Sequence, residues 1–131
     1  MRLALVAALA AALVAAVAAD ASRQTRVKSY CSRSGDVCYG IFKTGDGIYS
    51  FRLTLAAKYF ARYRICVLPL GQQARCKSFP VKKTGAGWGG TVIWQRNYPV
   101  RGPRGYRVTW RQGPHARRLG PSLTFFLPAP V

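Results

Sequence analysis

Apolar and polar residues alternate strictly through Gly105-Tyr106-Arg107-Val108-Thr109-Trp110, with Tyr106, Val108 and Trp110 on one face and Arg107, Thr109 and Arg111 on the other. A period of two is that of a β-strand with one buried face, and the remaining chain can be organised around this strand. A second run, Ile48 to Ala56, sets Tyr49, Phe51, Leu53 and Leu55 against Ser50, Arg52 and Thr54. A third sets Tyr63, Ile65 and Val67 against Arg62, Arg64 and Cys66. Shorter stretches predict strands at Val37 to Phe42, Arg75 to Lys83, Thr91 to Arg96 and Leu123 to Leu127. Pro80, inside the second of these, marks a sheet edge or a bulge because it has no N–H to give to a ladder.

Turn residues separate the runs. A Ser-Gly-Asp turn sits at 34–36, Lys43-Thr-Gly-Asp-Gly47 supplies residues that accept positive φ, and Pro69 to Gln73 makes another reversal. Residues 56–61 read as a connecting loop, 97–105 as a crossover, and Gln112 to Pro121 as a return. Thr84-Gly-Ala-Gly-Trp-Gly-Gly90 reads as a flexible Gly-rich loop carrying Trp88. About seven short strands with turn signals every 8–12 residues or so, and no convincing helix, predict an all-β antiparallel sandwich. The Gly-Tyr-x-Val-x-Trp entry at Gly105 resembles the penultimate strand of immunoglobulin-like sandwiches, where a tyrosine hydroxyl bonds back to nearby backbone.

The N-terminal segment stands outside this fold. Met1-Arg2 gives a positive start, Leu3 to Ala19 is an unbroken apolar run, and small residues offer cleavage before Asp20 or before Ser22. Residues 1–21 therefore read as a secretory signal peptide. As an uncleaved anchor the run falls short of the roughly 20 residues of a normal span, so no transmembrane segment is expected after cleavage. Residues 22–30 are polar and basic and read as a flexible arm, residues 31–128 as the sandwich, and 129–131 as a tail. Export makes the four cysteines candidates for two disulfides. Of the three possible pairings, spacing favours Cys31 with Cys38 and Cys66 with Cys76.

Charge changes the picture most. Lys plus Arg number 21 and Asp plus Glu only 3, a formal net charge of +18, and the acids are Asp20, Asp36 and Asp46. Such an excess favours polyanionic partners. It also leaves little for catalysis. Paired carboxylates for a cleft are lacking; His115 is the one imidazole, with no nucleophile elbow to serve; and oxidised cysteines supply no thiolate. No enzyme, cofactor or metal site is expected. Arginine, by contrast, presents a planar fork suited to phosphate, sulfate and carboxylate. The candidate polyanion-binding residues are Arg62, Arg64, Arg107 and Arg111 on strands and Arg101, Arg104, Arg117 and Arg118 in loops; Trp88 is a candidate aromatic contact.

From Gly105 to Leu127 the chain is similar to the copper-carrier family of periplasmic and secreted sandwiches. There a Tyr-x-Val-x-Trp strand leads through a His-bearing loop to a last strand of alternating aromatics; here Tyr106 to Trp110, His115 and Leu123-Thr-Phe-Phe-Leu127 follow that outline. The resemblance implies the sandwich fold and, through His115, copper. The chain departs from the family in its loop, Gly-Pro-His-Ala in place of Asp-Gly-His-Pro, and in beginning its mature part at Asp20 or Ser22 rather than at a His. One imidazole is a poor copper(II) site. The expected function is therefore a secreted or envelope-associated binding module, non-enzymatic, engaging an anionic wall polymer, glycan or lipid surface. Export argues against nucleic acid. A protein-recognition module, inhibitor or adhesion domain, acting through Trp88 is the alternative, and a copper carrier the less favoured one.

Overall fold

In the computed structural model, which describes residues 24–98, 104–113 and 117–127, nine strands form two antiparallel sheets. The strands are β1 (Gln24–Cys31), β2 (Val37–Thr44), β3 (Tyr49–Leu55), β4 (Arg62–Pro69), β5 (Arg75–Pro80), β6 (Lys82–Thr84), β7 (Gly87–Ile93), β8 (Gly105–Gln112) and β9 (Leu123–Phe126). One sheet has the order β1-β2-β3-β7-β6 and the other β5-β4-β8-β9. The set β2-β3-β7-β6 facing β4-β8-β9 is compatible with the two sheets of an immunoglobulin-like sandwich, with β1 and β5 added at the edges. A single turn of helix, α1 (Trp94–Asn97), follows β7. No helix among the described residues is long and apolar enough to cross a membrane.

The inward faces are the ones the alternation predicts. Tyr106, Val108 and Trp110 of β8, Tyr63, Ile65 and Val67 of β4, and Phe51, Leu53 and Leu55 of β3 are all buried in one core. Aromatic rings bridge the sheets. Trp110 stacks on Tyr39 with centroids 4.5 Å apart and meets Phe51 edge-on at 6.0 Å. Phe125 lies between Tyr106 at 5.3 Å and Tyr49 at 5.3 Å. Two tyrosines tie the layers by hydrogen bonds as well: the Tyr98 hydroxyl donates to the Ile65 carbonyl at 2.8 Å, and that of Tyr39 to the Pro121 carbonyl. Both expected disulfides are present, Cys31–Cys38 between β1 and β2 and Cys66–Cys76 between β4 and β5, each joining residues directly opposite in register.

Four readings of the sequence are corrected. The basic segment taken for a flexible arm is β1 from Gln24 onward, paired along its length with β2 and bulged between Arg26 and Lys28. The single strand expected over 75–83 is two: Pro80 ends the pairing of β5 with β4, Val81 is buried with its N–H on the Ala61 carbonyl at 2.9 Å, and β6 joins the other sheet. The Gly-rich stretch is largely strand β7, not a loop. Beyond it the expected strand to Arg96 stops at Ile93 and turns into α1.

The glycines of β7 have packing reasons. Gly89 has φ +139°, and a Cβ there would sit 2.0 Å from the Leu53 carbonyl oxygen of the adjacent strand. A Cβ on Gly90 would meet the Tyr63 hydroxyl at 2.7 Å, so β4 can lean this side chain against β7 only because position 90 is bare. Gly89→Ala is expected to combine backbone strain with a clash against main chain and to cost more than about 2 kcal/mol. That would lower Tm by roughly 10 °C in a domain of this size, a loss that a thermal melt followed by near-ultraviolet circular dichroism would detect.

Burial also raises the phenols. Those of Tyr39 and Tyr63 are pushed up to about 12, in both cases chiefly by desolvation, with Tyr30 adding to the effect at Tyr39. Tyr98 is raised further, by burial first and by the neighbouring Tyr63 second, against a lowering by Arg64. An unfolded tyrosine ionises near pH 10. Above that pH the unfolded chain has shed protons that the native state keeps, so unfolding is favoured as pH rises. The contribution of these groups is complete below about pH 10 and is lost as pH climbs through about 12. Tm measured from pH 8 to pH 12 is expected to hold and then fall, and to fall less steeply in Tyr98→Phe.

Candidate functional site

Alternation that buries Tyr63, Ile65 and Val67 sends Arg62, Arg64, Cys66 and Leu68 to the outer face of the second sheet, and the same rule sends out Arg107, Thr109 and Arg111 of β8. Register then sets them in rows. Leu68 lies opposite Arg107, Cys66 opposite Thr109, and Arg64 opposite Arg111. Arg107 in turn faces Thr124 of β9. The last row gains a third arginine: an isolated bridge pairs Arg111 with Arg118, fixed on either side by Gln112 N–H to the Arg117 carbonyl at 3.1 Å and Leu119 N–H to the Trp110 carbonyl at 2.8 Å. Arg64, Arg111 and Arg118 thus stand abreast across three neighbouring backbone segments.

These rows bound an open groove of about 500 Å³ on that face. Its charged wall is Arg64, Arg107, Arg111 and Arg118; the Cys66–Cys76 disulfide, Leu68 and Ala74 line its apolar part. Thr109 and Ser122 add hydroxyls, which hydrogen-bond each other at 2.6 Å. Like charges placed opposite in a sheet oppose folding, and the chain has few carboxylates to offset them. The two acids among the described residues, Asp36 and Asp46, lie in the turns β1–β2 and β2–β3, attached to the other sheet. A concave surface carrying four guanidinium groups beside hydroxyl donors can bind the oxygens of phosphate, sulfate or carboxylate, with several contacts to a chain of them.

Half of the eight arginines singled out in the sequence therefore meet in one groove. Arg62 shares the outer face of β4 but reaches toward the Ser78 carbonyl, 3.4 Å away. Arg117 is exposed next to the groove, and Arg104 lies at the opposite end of β8, where its carbonyl accepts from Leu127 N–H at 3.0 Å. Arg101 and His115 fall outside the described residues. Trp88 is in β7, half-buried against the core, with the ammonium groups of Lys58 and Lys83 at 5.6 Å and 6.0 Å from its ring. Those lysines already occupy its neighbourhood. Among the described residues no three His, Cys, Asp or Glu side chains cluster as metal ligands would.

Sequence reasoning missed the row of three arginines. The strand Tyr106 to Arg111 placed Arg107 and Arg111 on one face, but which residue of Gln112 to Pro121 returns beside Arg111 depends on where the chain reverses. Gly113 is the available signal: its φ of +62° lets the chain reverse directly after β8, with its N–H on the Arg62 carbonyl at 2.9 Å. No protein-family model matches this chain, and neither does any curated protein or solved structure, so the site is read from its own chemistry.

Proposed function

We propose that the protein is a secreted, non-enzymatic binding module that holds an anionic polymer of the envelope or extracellular space in the arginine groove of its β5-β4-β8-β9 sheet. The observation that carries this reading is the row Arg64, Arg111 and Arg118 with Arg107 in the same groove. Four cations gathered in one groove, on a chain with 21 basic and 3 acidic residues, favour a polyanionic partner. The leader-like N-terminus and two disulfides support an oxidising, extracellular setting, where wall polymers and acidic glycans are available polyanions.

The test is binding of the purified protein to a soluble polyphosphate chain over a range of salt concentration. Displacement of counterions makes log affinity fall linearly with log salt, with a slope close to the number of charges engaged. A steep slope is expected. Weak binding that is already lost at low salt would mean that the arginines only solvate the sheet.

A further inference from the structure

Three large apolar side chains remain in solvent at the end of the sandwich remote from the arginine row. Phe126 is 67% exposed, Leu70 43% and Ile48 36%. Leu70 follows β4, Phe126 closes β9, and Ile48 precedes β3. Leu70 donates its N–H to the Gly105 carbonyl at 3.0 Å, and Gly105 pairs with Phe126. A Cβ on Gly105 would meet Leu70 Cδ1 at 2.6 Å and Phe126 Cε1 at 2.7 Å. The two side chains therefore close over the glycine from both sides and make one apolar knob. Tyr49, next to Ile48, packs on Phe125 across the sheets at 5.3 Å, which brings the β2–β3 turn to the same end.

Cations surround this end. Lys43 holds its ammonium 5.6 Å from the Tyr49 ring, Arg104 precedes Gly105, Arg75 lies opposite Val67 near the start of β5, and Arg107 is the next outward residue of β8 after Gly105. The carboxylate among the described residues at this end is Asp46, in the β2–β3 turn. Single exposed apolar residues are ordinary. A Leu–Phe pair joined over a bare glycine, with a third apolar side chain at the same end and four cations against one carboxylate, has the pattern of an interfacial anchor. There the apolar tips enter the boundary between headgroups and acyl chains and the cations meet lipid phosphates.

We propose that this end of the sandwich seats on an anionic lipid bilayer, with Leu70 and Phe126 as the inserted tips and Ile48 beside them. The inference goes beyond the polyanion reading and is carried by different residues, Arg107 excepted, which lies between the two surfaces. Gly105 and Arg111 are separated by about 20 Å along a strand, so the arginine row stands well away from the inserted tips.

The experiment is flotation of the purified protein with vesicles of phosphatidylglycerol and phosphatidylcholine, against vesicles of phosphatidylcholine alone, for the unaltered chain and for Leu70→Ser/Phe126→Ser. Both positions are exposed, and the near-ultraviolet circular dichroism and thermal melt of the variant serve as the check that it is folded. The unaltered protein is expected to float with the anionic vesicles, and the double variant to bind them at least about tenfold more weakly while keeping its polyphosphate affinity. Equal vesicle binding by both proteins would overturn the proposal, since charge alone would then suffice; absence of vesicle binding would overturn it too. So would a dimer of the unaltered protein in sedimentation that the variant lacks, because the knob would then join two copies of the chain. Failure of the polyanion reading is seen separately, as a polyphosphate affinity that ignores the groove arginines.

Discussion

Trp110→Ala is expected to destabilise the domain by about 3–5 kcal/mol, the largest effect of any single substitution considered. Trp110 is fully buried in the middle of β8, opposite Ile65 of β4, and its ring reaches across to Tyr39 and Phe51 of the facing sheet. Its loss would remove apolar burial, two ring contacts and the filling of the space between the sheets together. A small domain has about 5–15 kcal/mol of stability in total, so the variant would keep only a fraction of it. Urea denaturation under oxidising conditions, which leaves both disulfides closed, measures the loss. With an m-value of about 2 kcal/mol/M the midpoint would fall by roughly 2 M. Trp110→Phe, which keeps a ring against Tyr39, is expected to lose less than half as much. A loss below about 1 kcal/mol for the alanine variant would mean that the two sheets do not depend on this contact.

Arg107→Ser/Arg118→Ser is expected to act in the opposite way, weakening binding strongly while leaving the fold as stable or slightly more so. Both side chains are exposed and both line the groove, Arg107 on β8 and Arg118 on the segment bridged to Arg111. Charge-assisted contacts to phosphate oxygens are strong enough that losing one lowers affinity about tenfold. Losing two would therefore lower it about 100-fold, and the salt slope would become shallower by close to 2. Removing Arg118 from beside Arg111 also relieves a like-charge pair, a gain of some tenths of a kcal/mol at an exposed position. The divergence between affinity and stability separates a binding role from a structural one: a structural arginine would lower both.

The sequence disclosed the fold wherever one face of a strand meets the core and the other meets water. That condition holds for β3, β4 and β8, and their inward residues were readable in advance. β1 lacks it. It lies at a sheet edge with seven of its residues exposed and Tyr30 alone half-buried against the core, so no apolar period was there to be found. The glycines of β7 misled for a related reason. Gly89 and Gly90 are bare because the Leu53 carbonyl and the Tyr63 hydroxyl lie close by, and such contacts come from distant parts of the chain. Pro80 correctly announced an irregularity, but whether a proline bulges a strand or passes the chain to the facing sheet depends on the partner it leaves.

The site was legible to the same extent. Alternation alone assigns Arg62, Arg64, Arg107 and Arg111 to outward faces, and short spacing suggested the Cys66–Cys76 link that lines the groove. Which arginines stand abreast is a matter of register. A shift of one residue between β4 and β8 would face Arg111 with an inward residue and dissolve the row. The apolar knob at Gly105 was hidden in the same way, since Leu70 and Phe126 are far apart in sequence and meet only through the pairing of β8 with both neighbours.

The most direct test of the groove compares three proteins binding one soluble polyphosphate chain across a range of salt: the unaltered chain, Arg107→Ser/Arg118→Ser, and Lys28→Ser/Lys82→Ser. Lys28 and Lys82 are exposed on β1 and β6 of the other sheet, so the last variant loses the same charge elsewhere. The expected result is a large loss of affinity and a shallower salt slope in the groove variant, with the control close to the unaltered protein. Equal weakening of the two variants would show that only net charge matters, and would contradict a binding site in the groove.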